Sequence, residues 1–177
     1  MLFFSISDRE LKNILKTYTM ITNEEKDHFI AACRKILTPS KTLCLKEFTY
    51  SGYTYGEIFA LAAGFKKSQS RRGSEKLVCL CTENKAVVAA SILASLSGAF
   101  RLILPYALST HALLEMHEAV GFDAVITDHP DETPGIDIII PTTGNPDDLK
   151  PETLRNSDEP FLKLFTGGST GKPKVWS

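Results

Sequence analysis

Phe165-Thr-Gly-Gly-Ser-Thr-Gly-Lys-Pro-Lys174 gathers three glycines, three hydroxyl side chains and two lysines within ten residues. Glycine admits positive φ and lets the backbone approach a ligand closely. Successive N–H groups in such a loop form an anion-binding concavity. Thr166, Ser169 and Thr170 add hydroxyl donors, and Lys172 and Lys174 add positive charge. The chemistry these types serve is the holding of a phosphate. Phe161-Leu-Lys-Leu-Phe165 partly alternates apolar and polar residues and reads as a strand feeding the loop. An ordinary surface loop rich in Gly and Ser is the plainer alternative.

Spacing separates the known phosphate loops. A Walker A loop needs G-x-x-x-x-G-K followed by Ser or Thr. Here Thr166 stands five residues before Gly171, and Lys172 is followed by Pro173. Pro173 also biases Lys172 away from helical φ/ψ, so no helix is expected to start at that lysine. A Rossmann G-x-G-x-x-G is absent. The stretch instead resembles the phosphate-binding signature of the adenylate-forming enzymes, Thr-Ser-Gly-Ser/Thr-Thr-Gly-Lys-Pro-Lys-Gly. Thr166, Gly168, Ser169, Thr170, Gly171, Lys172, Pro173 and Lys174 match it position by position. Gly167 stands where the family usually has Ser, which removes a hydroxyl. Val175 stands where it usually has Gly, which stiffens the exit.

The resemblance implies an N-terminal portion of an acyl- or aryl-CoA synthetase-like, AMP-forming ligase, with fatty-acid metabolism as one setting. A carboxylate attacks the α-phosphate of ATP with Mg²⁺, giving an acyl-adenylate and pyrophosphate. Coenzyme A or a carrier-protein phosphopantetheine then takes the acyl group. In that chemistry Thr166, Gly167, Gly168, Ser169, Thr170, Gly171, Lys172 and Lys174 hold the nucleotide phosphates. Such a loop contributes positioning and charge neutralisation. No catalytic residue and no metal ligand is assigned in this chain. By the family pattern the adenine and acyl pockets, the ribose-binding Asp and the catalytic Lys lie beyond Ser177. The piece alone is therefore expected to be inactive, and exposed apolar surface is expected to favour self-association. A non-catalytic nucleotide- or phosphate-binding module, or a decayed structural domain, remains the alternative.

The loop needs a scaffold, and the chain in order supplies one. Ser7–Glu10 and Thr22–Glu25 have the form of capping boxes. Each precedes a helical apolar stripe, Leu11 to Tyr18 and Phe29 to Leu37. Thr42–Phe48 reads as a strand and Tyr50–Tyr53 as a turn. Thr54-Tyr-Gly-Glu57 is a third capping box, opening a helix to about Ser68 with Ile58, Leu61, Ala62 and Phe65 inward. That helix also resembles one the adenylate-forming enzymes carry early in the chain, so the resemblance covers the chain from about Tyr53.

Leu77–Cys81 reads as a strand buried on both faces. Asn84 caps an apolar helix over Lys85–Ser97 that stops at Gly98. Arg101–Leu104 is the next strand. Ser109 caps a helix bearing Leu113, Leu114, Met116 and Val120 and ending at Gly121. Phe122–Thr127 and Ile136–Ile140 read as further strands. This alternation predicts an α/β fold with a mainly parallel sheet built from βαβ units and right-handed crossovers. The expected organisation is a single domain over 1–177, with a helical opening over 1–40 and an α/β part over 41–177. In the family's terms it is an incomplete N-terminal subdomain.

Composition excludes other classes. With 43% hydrophobic and 23% charged residues the 177-residue chain is ordinary for a soluble domain. A net charge of −1 leaves no electrostatic footprint for nucleic acid. The run from Ala86 to Phe100 is too short to span a bilayer, and Met1-Leu-Phe-Phe-Ser5 lacks the marks of a signal peptide. A cytoplasmic setting is expected. Cys79 and Cys81 share a strand face and read as buried thiols rather than metal ligands. His111 and Glu115 read as a solvated ion-pair face. Asp123, Asp128, His129 and Asp131 read as turn and cap residues near a strand end. No G-x-S-x-G elbow is present.

Overall fold

The computed structural model describes residues 23–48, 52–70, 76–133, 135–149, 160–166 and 174–176. The helices are α1 (Asn23–Leu37), α2 (Lys41–Cys44), α3 (Tyr55–Ser70), α4 (Lys85–Leu96) and α5 (Thr110–Val120). The strands are β1 (Leu77–Cys81), β2 (Arg101–Leu104), β3 (Ala124–Thr127), β4 (Asp137–Ile138), β5 (Leu162–Thr166) and β6 (Lys174–Trp176). They form one six-stranded sheet in the order β4-β3-β1-β2-β5-β6. All neighbours pair in parallel except β5 and β6. The expected α/β fold with a mainly parallel sheet is the fold observed.

β1 lies at the centre and all five of its residues are buried. Its alternate side chains point to opposite faces. Val78 and Leu80 meet α3 and α4, whereas Leu77, Cys79 and Cys81 meet α5 through Leu113 and Met116. β2 and β3 flank β1 on opposite sides, and the helices leading to them lie on opposite faces. The two crossovers therefore have the same hand, as a twisted sheet requires.

The caps follow the sequence closely. Glu57 Oε2 accepts from Thr54 N at 2.7 Å and from the Thr54 hydroxyl at 2.9 Å, while Glu57 N donates to Thr54 Oγ1 at 3.3 Å. Asn84 Oδ1 accepts from Ala86 N and Val87 N at 3.0 and 3.3 Å. Ser109 Oγ accepts from Ala112 N at 3.3 Å. Gly121 ends α5 in the left-handed region with φ 68°. α4, apolar almost all round, has no exposed residue from Ala86 to Leu96.

Three expected strands are shorter or absent. Thr42–Phe48 is not a strand: Ser40 caps the short helix α2, its hydroxyl accepting from Leu43 N at 3.1 Å. Only Glu47 then bridges, to Thr54. Leu45 is 83% exposed, so no apolar face existed to hold a strand against the core. The strand expected over Phe122–Thr127 begins at Ala124 because the Asp123 carboxylate accepts Leu77 N at 2.7 Å. The strand over Ile136–Ile140 contracts to Asp137–Ile138, with Ile140 exposed ahead of Pro141. Conversely α3 runs to Ser70, beyond the expected end. The capping box at Ser7–Glu10, the stripe Leu11–Tyr18, Thr22, and Tyr50–Ser51 of the turn lie outside the described residues.

A crossing of backbones locks α3 to the segment before the 3₁₀ turn Pro146–Asp148. Gly144 N donates to Ala60 O at 2.8 Å. A Cβ on Gly64 would stand 1.7 Å from Thr142 O, and one on Gly144 2.7 Å from Gly64 N. Neither position has room for a methyl group, because the obstruction is backbone.

Two outcomes follow from this packing. Gly64→Ala is expected to destabilise the chain by about 2 kcal/mol or more, the range of overpacking in a tight core, read by urea denaturation. Hydrogen bonds from Thr54 hold the Glu57 carboxyl below its ordinary range. A depressed carboxyl contributes stability above its unfolded value, which is lost as the pH falls through the folded value. The stability advantage over Glu57→Gln is therefore expected to hold above the ordinary carboxyl range, about pH 4.3, and to shrink as the pH falls below it, followed as the urea midpoint at each pH.

Candidate functional site

Because β1, β2, β3 and β5 run in parallel, their carboxyl ends share one edge of the sheet. Thr82, Pro105, Asp128 and Thr166 therefore gather there. The chain leaves β1 toward the α4 face and β2 toward the α5 face. Open α/β sheets bind ligands in the crevice such a divergence leaves.

β5 delivers the glycine loop to this edge. Leu102, Ile103 and Leu104 of β2 pair with Leu162, Lys163 and Leu164. Phe165 is buried on the α5 face, and Thr166 ends the strand. The chain returns as β6, with Thr166 opposite Lys174, Phe165 opposite Val175 and Leu164 opposite Trp176. The first and last of the expected phosphate-binding residues are thus backbone partners on two antiparallel strands. Gly167, Gly168, Ser169, Thr170, Gly171 and Lys172 lie outside the described residues. The return strand was not expected from sequence. Its signal was only Val175-Trp176, two residues of strand-forming type.

Elsewhere on the same edge, with β2 between it and the β5–β6 pair, Asp128 clasps the ends of β1 and β3. Its carboxylate accepts from the Thr82 hydroxyl at 2.7 and 2.8 Å and from Glu83 N at 2.8 Å. Thr82 is buried, and its oxygen in turn accepts from Asn84 N at 3.1 Å. This fixes the turn into α4. Tyr106, just after β2, donates to Glu115 Oε2 at 2.5 Å. That hydrogen bond, more than its partial desolvation, raises the Tyr106 hydroxyl above its ordinary range.

The four residues expected as a turn cluster divide. Asp123 sits at the opposite, amino edge, bound to Leu77 N. Asp128 stands at the carboxyl edge. His129 N donates to Thr127 Oγ1 at 3.1 Å, and Asp131 lies in the 3₁₀ turn Pro130–Glu132. His111 is exposed, while Glu115 is engaged by Tyr106 rather than standing in a solvated pair with it. Cys79 and Cys81 are buried thiols, as expected. Burial pushes the Cys79 thiol far up, and burial followed by the Asp128 charge raises Cys81. A thiol so raised is a poor nucleophile. Among the described residues no three His, Cys, Asp or Glu side chains are grouped to hold a metal ion. Among them also no helix is long and apolar enough to cross a membrane.

No family model and no curated protein sequence matches the chain. Among solved structures, 88% of the chain aligns with the Vibrio cholerae adenylation domain AlmE in complex with glycyl-adenosine-5'-phosphate, at 21% identity and a TM-score of 0.58, covering 35% of that chain. A second match is McyG A-PCP complexed with phenylalanyl-adenylate, over 84% of this chain and 27% of that one, at 18% identity and a TM-score of 0.53. The chain spans only about a third of the length of such structures. At these identities the likeness is one of fold: the chain shares the fold of a portion of these adenylation domains.

The Asp128 clasp has a measurable weight. Asp128→Ala is expected to cost about 1–3 kcal/mol in urea denaturation, because it strips a buried hydroxyl and a backbone N–H of a charged acceptor.

Proposed function

We propose that the chain is the N-terminal portion of an ATP-dependent carboxylate-activating ligase and contributes the loop that grips the nucleotide phosphates. The observation that carries this reading is the hairpin: Thr166 ends β5 at the carboxyl edge of a parallel sheet, and Lys174 begins the strand that returns beside it. Between them stands a sequence of three glycines, two hydroxyls and Lys172. The likeness in fold to two adenylation domains supports it.

In the reaction a carboxylate oxygen attacks the α-phosphorus of ATP. The new bond between that oxygen and the α-phosphorus forms as the bond from the α-phosphorus to the oxygen bridging to the β-phosphate breaks, and pyrophosphate leaves with that oxygen. A thiol then attacks the acyl carbon and AMP departs. Thr166, Gly167, Gly168, Ser169, Thr170, Gly171, Lys172 and Lys174 act on the leaving side. Backbone N–H groups and hydroxyls fix the β- and γ-phosphates, and the two lysines offset the charge that grows on pyrophosphate. Donors set in advance of the reaction stabilise that charge without reorganising.

The acid is a fatty, aromatic or amino acid. The AlmE and McyG structures each hold an aminoacyl-adenylate, which supports the amino-acid class. The acceptor thiol is coenzyme A or a carrier protein, and the A-PCP form of McyG supports the second. Mg²⁺ would accompany ATP in this chemistry; among the described residues no three His, Cys, Asp or Glu side chains are grouped to hold it. Large apolar side chains such as Leu164, 45% exposed on β5 of the hairpin itself, favour self-association of the chain.

Lys172→Ala is expected to weaken ATP binding by about tenfold or more, the range for a lost hydrogen bond to a charged group. Isothermal titration of ATP into both proteins measures it. Equal affinities, or no binding by the unaltered chain, would contradict the assignment.

A further inference from the structure

Ser95 lies in the last turn of α4 and is fully buried. Its hydroxyl donates to Phe100 O at 2.8 Å and to Phe161 O at 2.9 Å. A serine has one hydroxyl hydrogen, so the two carbonyls share it. Phe100 immediately precedes β2, and Phe161 immediately precedes β5. Phe161 O also accepts Leu102 N at 2.8 Å, which begins the β2–β5 ladder. The side chain of Phe161 meets a third element, with its ring 6.1 Å from that of Phe29 on α1. Among the described residues Ser97, the other buried serine at this end of α4, donates within its own turn, to Ala94 O. Ser95 thus ties a helix to the residue just before the strand that leads to the glycine loop.

From this geometry we infer that Ser95 is a positioning residue for the loop, setting where β5 starts against β2. This rests on the reading that the loop holds phosphate. Among the described residues β5 pairs with three residues of β2 on one side and three of β6 on the other, and Phe165 is its buried side chain on the α5 face. A slip of one residue would turn Phe165 out of the α5 face and carry Thr166 about 3.3 Å along the strand. The loop would then meet the carboxyl edge at the wrong height. A hydroxyl at position 95 selects one register because only that register brings the Phe161 carbonyl to it.

The test pairs hydrogen exchange with ATP titration on the full chain. Ser95→Ala is expected to speed amide exchange about tenfold in β5 and β6, the loss of one buried hydrogen bond, and to leave β1 and β3 unchanged. ATP affinity is expected to fall about tenfold with it. Ser95→Thr, which keeps the hydroxyl, is expected to restore both. Should Ser95→Ala fail to fold, Ser95→Cys, of similar size with a weaker donor, reads the same quantities. Exchange that is unchanged in β5, or raised equally across the sheet, overturns the inference. So does faster β5 exchange with ATP affinity intact. If the unaltered chain binds no ATP, the phosphate reading falls, and the exchange pattern still decides whether Ser95 sets the register of β5.

Discussion

Burial of β1 on both faces is the constraint from which the other features follow. Leu77-Val-Cys-Leu-Cys81 has no polar side to give to water. It must therefore be covered above and below, by α3 and α4 on one face and α5 on the other. Helices on both faces require crossovers that leave in opposite directions. That divergence opens the carboxyl edge between β1 and β2, and β5 then brings Thr166 to the same edge. An amphipathic strand in the place of β1 would have left one face open and no such edge.

Polar groups at the edge serve placement first. Asp128 holds Thr82 and Glu83, Asn84 holds the first turn of α4, and Glu115 holds Tyr106. Of these donors the Thr82 hydroxyl is buried, and leaving it unpaired would cost about one to three kcal/mol. The glycine crossing at Gly64 and Gly144 plays the matching part in the core. It lets α3 approach the segment after β4 closely enough for a hydrogen bond from Gly144 N to Ala60 O. The result is a fixed frame at the carboxyl edge, where β5 ends at Thr166.

The helices and central strands were legible because their signals are local. Thr54 and Glu57, Asn84, Ser109 and Gly121 mark helix ends by chemistry that acts within four residues. The apolar run at β1 announced its double burial. Elements whose fate depends on distant partners were not legible. Thr42–Phe48 has strand-like residues, but Ser40 caps a helix turn and Leu45 finds no core. β6 owes its existence to pairing with β5, and Lys174-Val-Trp176 is too short to show a period. Ser95 and the Thr82–Asp128 pair join residues 66 and 46 apart in sequence, where no spacing rule operates. Of the site itself, the residue types were legible at once, and the hairpin that brackets them needed the fold.

The account stands or falls on whether the residues between Thr166 and Lys174 hold phosphate. The direct measurement is a titration of the chain with ATP, and separately with pyrophosphate, followed through backbone amide resonances. The account predicts saturable shifts centred on Gly167, Gly168, Gly171 and Lys172, produced by both ligands. Shifts centred elsewhere, or none that saturate, would contradict it.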